Sequence, residues 1–137
     1  MNEEEGISEN PIAKLAEYWN AANLMYLHVE EFREELGIFN LIEEGLFLDF
    51  KAYLNFWLSS LYVVAEGFLE LKLKDPHLES LIRENFDSLR KFRNGTFHFQ
   101  KEYNKQMQFF GGVDFKLNRA VELHEGFREY FVEKLKP

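Results

Sequence analysis

The longest uncharged stretch of the chain runs from Ala52 to Ala65, and its length constrains the fold more than any other feature. Its 14 residues fall short of the roughly 20 that a helix needs to cross a bilayer. Apolar residues cover nearly every face of a helix drawn through it, so other protein surface must cover that helix. The stretch therefore predicts a helix at the centre of a bundle or at a subunit interface.

The rest of the chain has the periodicity of amphipathic helices. Apolar residues recur at steps of three and four in the first such segment: Ile12, Leu15, Trp19, Ala22, Tyr26 and Val29. Asn10-Pro11 and Asp75-Pro76 are typical of a cap followed by a first turn. These signals predict helices over 11–36, 46–73, 76 into the region around 93, and 114–136.

Short connections between four such helices favour an all-α, antiparallel four-helix bundle. We expect one domain over 11–137, preceded by an acidic, flexible N-terminus over 1–10, and a homodimer formed near the second and third helices. The segment 38–45 has room for one extra short helix. The alternation over 106–109 is compatible with a small hairpin.

The chain has no cysteine and a formal net charge of -8. The first fact excludes disulfides, cysteine-based metal sites and a thiol nucleophile. The second argues against a general nucleic-acid coat, because Lys and Arg drive non-specific binding to phosphates. Between Arg83 and Lys105, however, the sequence has six basic and three acidic residues, so the net charge of this window is +3. With no signal-peptide pattern at the N-terminus and no membrane span, a cytoplasmic location is expected.

The candidate chemistry lies in the segment Arg93-Asn94-Gly95-Thr96-Phe97-His98. Guanidinium binds an anionic phosphate in two-point fashion, while imidazole can accept or donate a proton near neutral pH. At about 100° per residue Asn94 and His98 share a helix face, whereas Arg93 lies about 140° from His98. Because Gly95 and Thr96 are weak helix formers, we expect a local distortion that brings the three side chains together.

These residues resemble the motif of the HEPN superfamily, in which an arginine and a polar residue are followed after three positions by a histidine. The resemblance implies a metal-independent endoribonuclease of defence or stress response that leaves 2′,3′-cyclic phosphate ends at a dimer-interface cleft. His98 would transfer protons, Arg93 would stabilise the phosphate, and Asn94 would position the imidazole or the RNA. Many members of the superfamily are non-catalytic modules that bind a nucleotide or a protein partner, which is the alternative function.

The partners that the resemblance implies are a second protomer, RNA or a nucleotide, and an antitoxin or another protein. Candidate substrate-binding residues are Arg90, Lys91, Lys101 and Tyr103. In a toxin subgroup a tyrosine stands two residues after the histidine, where this chain has Gln100. We expect no cofactor and no metal site.

Three other sets of residues have a functional and a structural interpretation. Glu66 and Glu70 are either buried carboxylates that orient Arg93 or His98, or groups that reach the bundle surface or pair with Lys72 and Lys74, and the second interpretation is preferred. His124 is either a second acid/base group or a hydrogen-bonded core histidine, and the second interpretation is preferred. The phenylalanines near the motif, Phe97, Phe99, Phe109 and Phe110, either stack on bases or belong to the core, and the core is again preferred.

Overall fold

The computed structural model describes residues 10–35, 45–97 and 113–137. Helices make up 89% of these residues, and no strand occurs among them. The helices are α1 (Pro11–Glu35), α2 (Phe47–Glu70), α3 (Pro76–Phe97) and α4 (Val113–Lys134). The predicted all-α class is confirmed, and each helix begins within one residue of its predicted start. The expected flexible N-terminus, the extra helix over 38–45 and the hairpin over 106–109 lie outside the described residues.

Side-chain caps explain two of the helix starts. The Asn10 carboxamide oxygen accepts hydrogen bonds from the backbone N–H groups of Ile12 and Ala13, at 3.1 and 3.2 Å. Asp75 accepts a bond from the N–H of Leu78 at 3.0 Å, while Glu79 accepts one from the Asp75 N–H at 3.2 Å. Each cap satisfies donors that the first helical turn leaves without a partner inside the helix. Local sequence therefore fixes where α1 and α3 begin.

The end of α2 differs from the prediction, because the helix stops at Glu70 instead of continuing to 73. Lys72 adopts a left-handed backbone conformation with φ of 55°. The Lys72 N–H donates to the Leu69 carbonyl at 3.0 Å, and the Leu73 N–H donates to the Phe68 carbonyl at 3.2 Å. These are the two bonds of a Schellman motif, which glycine usually forms. A lysine in the glycine position explains why the sequence pattern missed this helix end.

Side-chain contacts show how the helices are oriented. Helices that follow one another in sequence contact each other with residue numbers running in opposite directions, and so do α1 and α4. The contacting pairs are Tyr26 with Trp57 and Phe32 with Phe50 (α1 and α2), Tyr62 with Phe86 and Phe56 with Phe97 (α2 and α3), Asn85 with Arg119 and Leu81 with Gly126 (α3 and α4), and Trp19 with Phe131 and Tyr26 with His124 (α1 and α4). The bundle is therefore antiparallel, as predicted. The C-terminal end of α3 lies at the same end of the bundle as the N-termini of α2 and α4.

Helix α2 supplies the largest part of the core. It has 11 buried residues, and Phe68 reaches across the bundle to Phe127 of α4, with ring centroids 6.0 Å apart. Of the two positions predicted for this helix, these contacts show the one in the core of the bundle, and the subunit interface stays a prediction. Three of its large apolar side chains nevertheless remain exposed, namely Leu48, Phe56 and Leu69. The helix thus fills the core and also presents apolar surface to solvent.

Candidate functional site

Helix α3 carries the described part of the motif. The helix continues without interruption through Gly95 and Thr96 to Phe97. The local distortion expected at these residues is therefore absent up to Phe97, because a regular helix tolerates them here. Thr96 is half-buried, and its hydroxyl donates to the backbone carbonyl of Asn55 on α2 at 3.4 Å. This bond joins the end of α3 to α2 beside the motif.

The guanidinium of Arg93 lies over an aromatic ring of the neighbouring helix. Its Cζ is 4.9 Å from the ring centroid of Tyr62. Contacts of this kind contribute about 0.5–2 kcal/mol. The Arg93 Nε is buried and has no hydrogen-bond partner, and no carboxylate among the described residues forms an ion pair with this arginine. The Tyr62 ring therefore supports the charge from one side, and no described carboxylate neutralises it by direct contact.

Glu66 reaches Arg93 only through Tyr62. The Tyr62 hydroxyl donates to Glu66 Oε2 at 3.1 Å. Burial raises the pKa of Tyr62, and the hydrogen bond and negative charge of Glu66 raise it further. Glu66 and Glu70 are both exposed, so the hypothesis of two buried carboxylates is wrong. Their i, i+4 spacing places them on a face of α2 that solvent reaches at this end of the helix.

The remaining predicted site residues have different surroundings. Asn94 is half-buried on α3, next to Arg93, while Arg90 and Lys91 are exposed. Arg90 forms an ion pair with Asp87 one turn earlier, at 3.3 Å. His98, Lys101 and Tyr103 lie outside the described residues. Arg93 and Asn94 thus lie in the last turns of α3, and this helix ends at Phe97, the residue before His98.

The sequence did not indicate that Tyr62 and Phe56 of α2 lie at the candidate site, and it predicted a core position for Phe97 of α3. Tyr62 supports Arg93, although the sequence marked it only as one of many apolar positions. Phe97 is 54% exposed and Phe56 is 46% exposed, so the core assignment of Phe97 is wrong. Phe99, Phe109 and Phe110 lie outside the described residues. The i, i+4 spacing of Tyr62 and Glu66 was the one signal in the sequence that linked Tyr62 to a polar neighbour.

His124 is a hydrogen-bonded core histidine, as preferred from the sequence. It is fully buried. The indole N–H of Trp57 donates to its Nδ1 at 3.1 Å. An indole can only donate, so the imidazole proton resides on Nε2. That nitrogen lies 2.9 Å from Asn23 Oδ1 and donates to it. Both ring nitrogens are therefore occupied by core partners, and His124 has no free nitrogen for catalysis.

The surroundings of His124 keep its ring neutral. Burial lowers the pKa of His124 to about 3, and the nearby charge of Arg128 lowers it as well. Arg128 donates to the same Asn23 oxygen at 2.9 Å. It also lies over the ring of Trp19, with Cζ 4.8 Å from the centroid. A positive charge on one side and apolar rings on the others disfavour a protonated imidazole.

The described residues also form a groove away from the motif, and they contain no metal-ligand cluster. A groove of about 400 Å³ between α2 and α3 is lined by Leu69, Glu79, Ile82, Arg83, Phe86 and Asp87. None of the predicted site residues lines it. Across residues 10–35, 45–97 and 113–137, no three acidic, histidine or cysteine side chains are grouped to hold a metal ion. None of the helices in this part of the chain is long and apolar enough to span a membrane.

Comparisons with protein-family models, with curated proteins and with solved structures found no match. The end of α3 presents a supported guanidinium, a neighbouring carboxamide and the exposed ring of Phe97, which lies against the exposed ring of Phe56 on α2. This combination can bind an anion that is attached to a planar apolar group.

Proposed function

We propose that the chain is a HEPN-like, metal-independent endoribonuclease that acts on RNA at a cleft between two protomers. The observation that carries the proposal is the Arg93 guanidinium, which is stacked on Tyr62 and has no carboxylate partner among the described residues. A guanidinium in this state binds phosphate in two-point fashion without first breaking an ion pair.

The proposed reaction is an internal transesterification. His98 accepts the proton of a ribose 2′-hydroxyl while water protonates the leaving 5′-oxygen, or His98 protonates the leaving 5′-oxygen while water takes the 2′ proton. In both cases the 2′-oxygen bonds to phosphorus and the bond from phosphorus to the 5′-oxygen breaks. Arg93 stabilises the negative charge that accumulates on the phosphate. Asn94 positions the imidazole or the RNA. The products are a 2′,3′-cyclic phosphate and a 5′-hydroxyl.

Two observations support an anion-binding role for the end of α3 over a purely structural role. Glu66 bonds to the Tyr62 hydroxyl instead of to Arg93, and no other carboxylate among the described residues forms an ion pair with the guanidinium. The last two turns of α3, from Arg90 to Phe97, also carry three basic residues and no acidic one. The charge of this helix thus opposes the acidic balance of the whole chain.

A second candidate is a non-catalytic dimeric module that binds a nucleotide or a protein partner through the same surface. The formal net charge of -8 favours it, since this charge opposes binding of long RNA. The two candidates share the anion contact of Arg93. They differ in whether His98 transfers a proton.

The test is cleavage of end-labelled RNA in EDTA by the purified protein and by His98→Ala and Arg93→Gln. We expect the wild type to leave cyclic-phosphate ends and each variant to lose at least about 100-fold in rate, the usual contribution of a general acid/base or a charge-stabilising group. Matched controls on the same helix are His77→Ala and Arg83→Gln, which replace exposed residues away from the motif.

Cleavage that persists in His98→Ala would refute the catalytic role of the histidine. If no RNA is cut while nucleotide binding depends on Arg93, the second candidate replaces the first. The oligomeric state, measured by sedimentation, tests the proposed dimer separately.

A further inference from the structure

Two phenylalanine rings are exposed side by side at the motif end of the bundle. Phe56 of α2 and Phe97 of α3 form an edge-to-face contact, with centroids 5.8 Å apart and an interplanar angle of 73°. About half of each residue is exposed to solvent. In this geometry the edge of one ring covers one face of the other, and the pair covers no other ring face by mutual contact. The aromatic pair, Phe56 and Phe97, therefore offers open ring surface to a ligand.

The aromatic pair lies next to the arginine of the motif. Arg93 and Phe97 are four residues apart on a regular helix, so their Cβ atoms are about 5–6 Å apart and their side chains are neighbours. The arrangement places a cation and an aromatic ring at neighbouring positions of one helix, so that one bound strand can contact the first through a phosphate and the second through a base.

Contacts between α2 and α3 hold this arrangement in place. Tyr62 supports the guanidinium of Arg93, and the Thr96 hydroxyl is bonded to the Asn55 carbonyl. Phe97 directly follows Thr96, so its backbone is held against α2 at the same point. A site whose parts are already positioned loses less entropy when it binds a ligand.

We infer that the aromatic pair is a stacking platform for an unpaired RNA base whose adjoining phosphate is bound by Arg93. The inference depends on the proposed function for the choice of RNA, and it names the substrate class as single-stranded. A base inside a duplex has both faces covered by its neighbours, so it cannot stack on Phe97 unless it leaves the helix. An unpaired base has a free face.

The area of the aromatic pair argues against a second copy of the chain as the occupant. A phenylalanine side chain buries about 200 Å², so two half-exposed rings offer about 200 Å² together. A stable protein interface needs about 800 Å² on each partner. The platform is large enough for one base and is only a small part of what a dimer contact requires.

The experiment measures binding without cleavage. The probe is a short single-stranded RNA with 2′-O-methyl groups, which remove the attacking hydroxyl, and with one fluorescent 2-aminopurine that reports stacking. Binding is followed in EDTA at several salt concentrations for the wild type, Phe97→Leu, Phe97→Trp and Arg93→Gln. Tyr18→Leu, which replaces an exposed aromatic residue on α1, is the matched control.

We expect Phe97→Leu to weaken binding by about 5- to 150-fold, the effect of losing one stacked base, and to leave the salt dependence unchanged. Phe97→Trp and Tyr18→Leu should bind like the wild type. Arg93→Gln should lower the slope of log affinity against log salt by about 0.7, the value for one phosphate contact on a single strand. A duplex of the same sequence should bind more weakly and leave the 2-aminopurine signal unchanged.

Three results would overturn the inference. They are wild-type affinity in Phe97→Leu, absence of single-strand binding by the wild type, and a change of oligomeric state in Phe97→Leu that accounts for its lost binding. The last result would identify the aromatic pair as a contact between protomers. If binding follows the expected pattern but the protein does not cut unmodified RNA, the result refutes the nuclease and supports the stacking platform.

Discussion

Replacing His124 by glutamine tests whether the buried imidazole makes the fold sensitive to acid. Glutamine keeps a neutral donor and a neutral acceptor for Trp57 and Asn23, but it does not titrate in this range. The folded protein holds His124 neutral with a pKa of about 3, whereas an unfolded histidine titrates near 6.5. Between these two values the unfolded chain binds one proton more than the folded chain.

The sign and size of the effect follow from this difference. Stability rises with pH wherever the unfolded state binds more protons. The contribution of His124 is therefore fully present above pH 6.5 and is lost as the pH falls toward 3. At about 1.4 kcal/mol per pH unit, the free energy of unfolding should fall by about 2 kcal/mol between pH 7 and pH 5 through this residue alone. By pH 4 the loss should reach about 3 kcal/mol.

The assay is urea unfolding followed by far-ultraviolet circular dichroism at several pH values for the wild type and His124→Gln. Carboxylates contribute to the acid response of both proteins, so the difference between the two isolates His124. His77→Gln, which replaces an exposed histidine of α3, controls for the change of residue type. The chain has two tryptophans, and both contact the His124 ring, Trp19 by stacking and Trp57 by an edge-to-face contact. Their fluorescence provides a second readout.

The stability gap between wild type and His124→Gln should shrink as the pH falls, because only the wild type loses this contribution. A gap that stays constant within about 0.5 kcal/mol from pH 7 to pH 4, where about 3 kcal/mol is expected, would refute the reasoning. It would mean that the imidazole finds a way to accept a proton inside the core.

Three further predictions concern the helix ends and the motif. Lys72→Gly should raise the free energy of unfolding by about 0.5–1 kcal/mol, since glycine adopts the left-handed conformation at less cost than lysine. If a urea titration shows no gain in stability, the left-handed conformation of Lys72 is not costly. Asp75→Ala should lower the free energy of unfolding by about 1 kcal/mol, because the α3 cap is lost. Asp75→Asn keeps a capping side chain, so in the same titration it should be nearly as stable as the wild type. Tyr62→Leu should weaken binding of the single-stranded RNA by about 2- to 30-fold, because the ring under Arg93 is lost. Tyr62→Phe keeps the ring and should bind like the wild type. Equal affinities for the two variants would disprove the supporting role of the ring.

The Tyr62 variants also separate the two neighbours of that side chain. Tyr62→Phe removes the hydroxyl that bonds to Glu66 but keeps the ring under Arg93. If binding falls in this variant, the carboxylate takes part in placing the guanidinium. If it does not, Glu66 is a surface residue whose hydrogen bond has no effect on the site.

Much of the fold could be predicted because its signals are local. Asn10 and Asp75 bond to backbone groups two or three residues away, so their caps can be identified from a short window of sequence. The periodicity of the apolar residues placed all four helices for the same reason. The end of α2 could not be found this way, because Lys72 adopts a conformation that its residue type disfavours.

The candidate site was predictable in its residues and less so in its surroundings. Arg93 and Asn94 were selected because their chemistry and spacing resemble a known motif. Tyr62 lies 31 positions before Arg93 in the sequence, and its role follows only from the register of α3 against α2. The exposure of Phe97 has the same origin, because the rotation of α3 decides which side of its last turn faces solvent.

Local sequence accounts for the positions of the helices, for the caps of α1 and α3, and for the presence of a cation, a carboxamide and aromatic rings near the end of α3. The packing of the helices against one another makes His124 a neutral core group between two tryptophans, exposes Glu66 and leaves Phe97 open beside Phe56. The difference comes from distance along the chain. Helix formation and capping depend on residues within about one turn, whereas burial, protonation and exposure depend on how side chains from different helices pack together.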